Sequence, residues 1–204
     1  MDFLYDRYPA LREEQDQIEQ VIKVLIETFE AGGKLLLCGN GGSAADCDHI
    51  VGELMKGFLK KRPLSRELRQ RFAQIGEEAM CDCLQEGLPA VSLTHGGALP
   101  SAYANDVDPD YIYAQQVLGL GKEGDVLIGI STSGNAQNVR NAMLTARAIG
   151  MKTVGLTGKS GGWLGEHADL AIKVPETETW RIQELHLPVY HWICMCVEKH
   201  FFEC

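Results

Sequence analysis

Five short apolar runs punctuate the 204 residues: KLLLC at 34–38, PAVSLT at 89–94, DVLIGI at 125–130, KTVGLT at 152–157 and LAIKV at 170–174. Helical patterns lie between them. Apolar residues recur at helical spacing from Ile18 through Val21, Ile22, Leu25 and Ile26 to Phe29, marking a helix over 9–31 that Gly32 and Gly33 stop. Further helices are predicted over 43–58, 136–149 and 179–203. Two short ones within 97–118 break around Asn105-Asp106-Val107-Asp108-Pro109. Strands that alternate with helices pair in parallel, because each helix carries the chain back across the sheet. The apolar runs are continuous, so both sheet faces must be covered. The fold class is therefore α/β, a three-layer sandwich around a five-stranded parallel sheet. Residues 60–88, KKRPLSRELRQRFAQIGEEAMCDCLQEG, are highly charged and read as a helical insertion in this single domain.

In such sheets ligands bind beyond the carboxyl ends of the strands. Three glycine-rich loops sit there: CGNGGS, STSGN and TGKSGG. Asn40, Gly41, Gly42 and Ser43 form a loop whose backbone can approach a ligand closely, since glycine lacks Cβ. Ser43 also reads as the N-cap of the helix that follows. Ser131, Thr132 and Ser133 leave a strand and enter a helix, presenting hydroxyls and free N–H groups at the positive end of a helix dipole. One serine there would be ordinary capping; three hydroxyls in a row point to a phosphate. The GxGxxG dinucleotide spacing is absent, and TGKSGG fails the spacing of a nucleotide-binding GxxxxGK[ST] loop, so no nucleotide cofactor is expected. TGKSGG reads as a plain turn between elements.

The net charge is −9, which argues against nucleic acid as the main partner. No apolar run approaches the roughly 20 residues of a membrane span. The start MDFLYDRYPALREEQ is charged from its second residue and does not read as a secretion signal. Seven cysteines, Cys38, Cys47, Cys81, Cys83, Cys194, Cys196 and Cys204, include no CxxC pair and fall mostly in apolar segments. They read as reduced thiols of a cytoplasmic protein.

His49 and Glu53 share one face of their helix at i, i+4 spacing. The last helix carries Gln183 and His191 within RIQELHLPVYH. An imidazole, a carboxylate and a carboxamide serve proton transfer or metal binding; capping or core histidines and an exposed glutamate are the plainer alternative. His95, His167, His186 and His200 read as structural. Gln183 and His191 are eight residues apart, roughly 12 Å along a straight helix. They cannot easily grip one ion from one chain.

Taken together, CGNGGSAADCDHIVGEL, STSGN and RIQELH followed by His191 resemble the SIS (sugar isomerase) domain, and within it the sedoheptulose-7-phosphate isomerases, or phosphoheptose isomerases. The resemblance spans nearly the whole chain except 60–88. It implies a flavodoxin-like sandwich, a homotetramer with active sites shared between subunits, and interconversion of a ketose phosphate with an aldose phosphate. Glu53 falls where that family has its catalytic base and His191 where it has its acid. Asn40, Gly41, Gly42, Asn105 and Asp106 fall on substrate positions; Ser131, Thr132 and Ser133 fall on the phosphate loop. Some members bind zinc, at positions matching His49, Glu53, Gln183 and His191. Three features depart from the pattern: Ala136 replaces a frequent serine, Trp180 a frequent aspartate, and residues 60–88 add a segment. A rival reading comes from SIS proteins that do no chemistry, serving as sugar-phosphate sensors or as protein-binding tetramers. Such relatives can dispense with the glutamate and the histidine, and both are present here.

Overall fold

A computed structural model describes residues 3–202, so Cys204 and residue 203 of the last predicted helix lie outside them. Strands β1 (Leu35–Gly39), β2 (Ala90–Ser92), β3 (Val126–Ile130), β4 (Lys152–Thr157) and β5 (Leu170–Lys173) form one parallel sheet in the order β2-β1-β3-β4-β5. Leu35 lies beside Ala90 on one side and Val126 on the other.

The alternation within β1 builds both cores. Leu35 and Leu37 point to one face and pack with Val21 and Leu25 of α2 (Gln15–Glu30), Ile50 and Leu54 of α3 (Gly42–Met55), and Val189 and Ile193 of the last helix (Thr179–Phe202). Leu36 and Cys38 point to the other face. They meet Tyr113 and Val117 of one helix (Ile112–Leu120) and Val139 and Met143 of another (Gln137–Ala148). Each fully buried leucine contributes about 1.5–3 kcal/mol, so these strands are fixed by burial on both sides.

The N-terminal region is less uniform than its periodicity predicts. A short helix, α1 (Phe3–Arg7), comes first, and Pro9–Glu14 form a 3₁₀ turn before α2 begins at Gln15. Pro9 at the head of that turn fixes φ and supplies no N–H.

In the charged segment, α4 (Arg66–Gln74) starts at Ser65, whose hydroxyl accepts from the Leu68 N–H at 3.4 Å. A 3₁₀ turn follows at Glu78–Asp82, and an antiparallel bridge between Pro63 and Gln85 closes the base. α4 buries no residue, so the excursion projects from the domain. Its root is held by Arg62, fully buried against Glu198.

Between β2 and β3 the chain forms α5 (Ala98–Asp106), a 3₁₀ turn at Pro109–Tyr111 and α6 (Ile112–Leu120). α7 (Gln137–Ala148), α8 (Gly162–His167) and α9 (Thr179–Phe202) complete the chain. Because β1 has β2 on one side and β3 on the other, the connections leaving β1 and β3 diverge. The crevice they open lies at the strand carboxyl ends, where such sheets bind ligands.

Candidate active site

The loop after β1 turns at Gly41, whose φ of +55° suits glycine. That turn starts α3 one residue earlier than the sequence indicates. Gly41 takes the N-cap position, and Ser43 becomes a buried first-turn residue whose N–H donates to the Asn40 carbonyl at 3.0 Å. Gly41 faces open space. Gly42 instead lies under the carboxamide of Gln183, and a Cβ there would strike it. The bare backbone at Gly42 therefore admits a side chain of α9. Asn40 exchanges two 2.9 Å hydrogen bonds with Asn138 on α7. The Tyr113 hydroxyl donates to the Gly39 carbonyl at 2.6 Å. Asn138 and Tyr113 escaped the sequence reading, because nothing in their spacing marks them.

Across the crevice, Ser131 is buried and accepts from the Gly134 N–H at 2.9 Å through its carbonyl. Gly134 has φ +68°. The Ser133 hydroxyl accepts from the Asn135 N–H at 3.2 Å. Ala136 is the N-cap of α7 and offers no side-chain acceptor, so the departure from serine leaves that helix start without a side-chain cap. Ser131–Asn135 thus present hydroxyls and helix-terminal N–H groups beside Asn40 and Asn138.

The turn after β4 is more than a connector. The Gly158 N–H donates to the Thr132 carbonyl at 3.1 Å, and the Lys159 N–H to the Glu176 carbonyl at 2.9 Å. The Leu164 N–H donates to the Gly134 carbonyl at 3.0 Å, and the Trp163 N–H to the Asn135 side chain at 2.9 Å. A Cβ on Gly134 would collide with the Gly161 carbonyl. Both loops need glycine because their backbones touch, a pairing invisible in either loop alone.

The chemistry-bearing side chains meet between α3 and α9. Among α3 residues, His49 and Glu53 lie one turn apart, with His49 Nε2 3.3 Å from Glu53 Oε1. His191 Nε2 of α9 lies 3.4 Å from His49 Nε2. His49 Nδ1 lies 2.9 Å from the Tyr190 hydroxyl, which donates to Asp46 Oδ1 at 3.3 Å. With the phenol proton directed at Asp46, its oxygen accepts from His49 Nδ1–H. His49 Nε2 therefore faces both a carboxylate oxygen and a second imidazole nitrogen. The Lys56 ammonium lies 3.3 Å from Glu53 Oε2, a partner one turn further on that the sequence reading missed. Burial, helped by His49, pulls the His191 pKa below the ordinary imidazole value, and Glu53 opposes the shift. Burial raises the Asp46 pKa against the Tyr190 hydrogen bond and His49.

Gln183 and His191 stand apart, as the helical geometry predicts. Gln183 rests on Gly42 and His191 on His49, contacts seven residues apart on α3 and so roughly 10 Å along it. Among the described residues no group of three or more His, Cys, Asp or Glu converges as a metal site. Asn105 and Asp106 end α5, where the Asn105 amide donates to Asp106 at 2.8 Å. No hydrogen bond among the described residues joins them to Glu53 or His191. Beside His191 an apolar groove of about 220 Å³ is lined by Leu4, Tyr8, Phe58, Pro188 and Trp192. Of the remaining histidines, His95 binds Asp48, His167 stacks on Trp163, His200 binds Glu30 and His186 is buried.

Comparison with known proteins gives concordant results. The SIS domain family model matches residues 6–78 and 83–158. A phosphoheptose isomerase from Roseiflexus sp. (strain RS-1) is 44% identical over 186 residues, covering 91% of this chain and 83% of that protein. A Helicobacter pylori (strain P12) phosphoheptose isomerase is 40% identical over 192 residues, 94% of this chain and 88% of that one. The solved phosphoheptose isomerase of Neisseria gonorrhoeae superposes with a TM-score of 0.77 at 32% identity, covering 95% of this chain and 91% of its own.

Proposed function

The chain belongs to the SIS domain family and, within it, to the phosphoheptose isomerases, and on that premise we propose that it interconverts sedoheptulose 7-phosphate and an aldose heptose 7-phosphate. The observation that carries this reading is the meeting of Glu53, His49 and His191 between α3 and α9, beside a sheet whose β3 leads directly into the Ser131–Ser133 loop.

Glu53 is the base. It removes a proton from C1 of the open-chain ketose, and the C1–H electron pair becomes the C1=C2 bond of an enediol. Return of the proton to C2, with transfer of the O1 proton to O2, gives the aldose. His191 serves the two oxygens, and its lowered pKa keeps a neutral imidazole available to accept and return that proton. Asn40, Gly41, Gly42, Ser43 and Gln183 hold the sugar, with Asn105 and Asp106 at its margin; Ser131, Thr132 and Ser133 hold the phosphate. Fixing the phosphate at a distance places the reacting carbons at Glu53, so remote binding energy serves proton transfer.

Zinc is what the family resemblance implies here; within this one chain the described residues form no converging group of three or more His, Cys, Asp or Glu. His49, Glu53, Gln183 and His191 would be its ligands, imidazole, carboxylate and carboxamide donors of types that zinc accepts. Zinc, when bound, polarises the substrate carbonyl. Because the Gln183 side chain lies over Gly42 and His191 meets His49, seven residues further along α3, this ligand set favours a site shared with a second copy. The apolar groove beside His191, with Phe3 and Leu187 exposed near it, supports assembly as a homotetramer. Six unpaired cysteines among the described residues support a reducing, cytoplasmic setting.

The test is turnover by the purified chain on sedoheptulose 7-phosphate and a panel of other ketose phosphates, with and without zinc. Aldose formation from the heptose phosphate is expected. Binding of sugar phosphates without turnover of any would replace this reading with that of a sensor.

A further inference from the structure

A phosphate monoester carries close to two negative charges, and hydroxyls and N–H groups satisfy its hydrogen bonds without neutralising it. The Ser131–Asn135 loop supplies no cation, and the chain as a whole is acidic, at −9. A cavity of about 290 Å³ opens directly on that loop. It is lined by Thr132 and Ser133 of that loop together with Lys159, Ser160, Glu176 and Thr179.

The geometry points to Lys159 as the cation that binds the substrate phosphate, with Ser160 as an added hydroxyl donor; this inference rests on the isomerase reading above. Lys159 is exposed, and its ammonium is engaged in no ion pair or hydrogen bond among the described residues. Its backbone, by contrast, is fixed. The Gly158 N–H is bonded to Thr132 and the Lys159 N–H to Glu176. Gly158 is pressed between the Thr132 and Glu176 carbonyls with Ile182 above, so no side chain fits there. A free cation is therefore held on a rigid turn whose neighbour touches the phosphate loop. The one carboxylate in that lining, Glu176, lies 4.0 Å from the Arg181 guanidinium, which offsets its repulsion of an anion. Lysine is suited to this role as a compact charge on a flexible stem.

The test uses the full chain. Calorimetry with inorganic phosphate, and inhibition of turnover by inorganic phosphate, are compared for wild type, Lys159→Met and Lys159→Arg. Loss of a charge-assisted contact weakens phosphate binding about 10- to 100-fold in Lys159→Met, and Lys159→Arg recovers most of it. KM for the sugar phosphate rises by a similar factor while kcat stays within a few-fold. Unfolding midpoints matching wild type confirm that the exposed substitution leaves the fold intact. Phosphate affinity unchanged in Lys159→Met overturns the inference, as does a loss that appears in kcat alone. Wild type that binds phosphate through Lys159 yet turns over no sugar would refute the isomerase reading and leave this one standing.

Discussion

Replacing Arg62 with methionine removes the cation of a fully buried ion pair. The guanidinium reaches Glu198 through Nε at 2.9 Å and Nη2 at 2.8 Å, donates from Nη2 to the Glu53 carbonyl at 3.0 Å, and donates to the Leu54 carbonyl. It also lies 4.6 Å from the Phe202 ring centre. Without it, Glu198 keeps only the N–H groups of Phe58 and Leu59, each at 2.7 Å, and a buried carboxylate loses its counterion. The Leu54 carbonyl retains the Leu88 N–H at 2.9 Å, so that acceptor is not orphaned. The dominant loss is the uncompensated charge, about 3–5 kcal/mol. That is a large share of the about 5–15 kcal/mol that stabilises most domains. Urea unfolding followed by circular dichroism should show the midpoint falling with the slope retained. Glu198→Gln should cost a similar amount, and the double variant less than the sum, because neither charge is then stranded. The pH dependence follows. Burial pushes the Glu198 pKa up, but the two N–H groups and Arg62 outweigh it and leave the pKa below the ordinary value. The contribution is therefore present above about pH 4.3, the unfolded value, and is lost as pH falls through the lower folded value. An Arg62→Met variant within about 1 kcal/mol of wild type, or strictly additive single losses, would refute the reasoning.

Two further perturbations separate site from scaffold. Gly42→Ala should displace the flexible Gln183 amide without disturbing backbone, so KM for the sugar phosphate should rise while the melting temperature stays nearly constant; steady-state kinetics beside calorimetric melting checks this. His186 is fully buried, and burial lowers its pKa to about 4 while the nearby Thr157 backbone opposes the shift in part. Its neutral form is favoured by folding, so stability should fall by about 3 kcal/mol as pH drops from about 6.5 to about 4; the same titration of unfolding free energy in His186→Leu should be flatter over that window.

The sheet was legible because its strands are apolar runs that end in glycine loops, and burial on both faces leaves such runs no other role. Glu53 and His49 were legible as a helical pair, and the separation of Gln183 from His191 followed from helix geometry alone. What stayed hidden depends on contacts between distant segments. Asn138 matters because Asn40 reaches it across 98 residues, and Arg62 because Glu198 lies on the last helix. Ser43 was misplaced as an N-cap since the positive φ of Gly41, which starts the helix earlier, leaves no mark beyond another glycine. The TGKSGG turn looked like a connector because its glycines are explained only by the Ser131–Asn135 backbone they touch.

The proposed isomerisation rests on Glu53 as the base. The most direct measurement is kcat of Glu53→Gln on sedoheptulose 7-phosphate, beside wild type under the same metal conditions. A loss of about 10²- to 10⁴-fold in kcat is expected. A variant that retains turnover within a few-fold of wild type would contradict it, and would place the proton transfer on another residue.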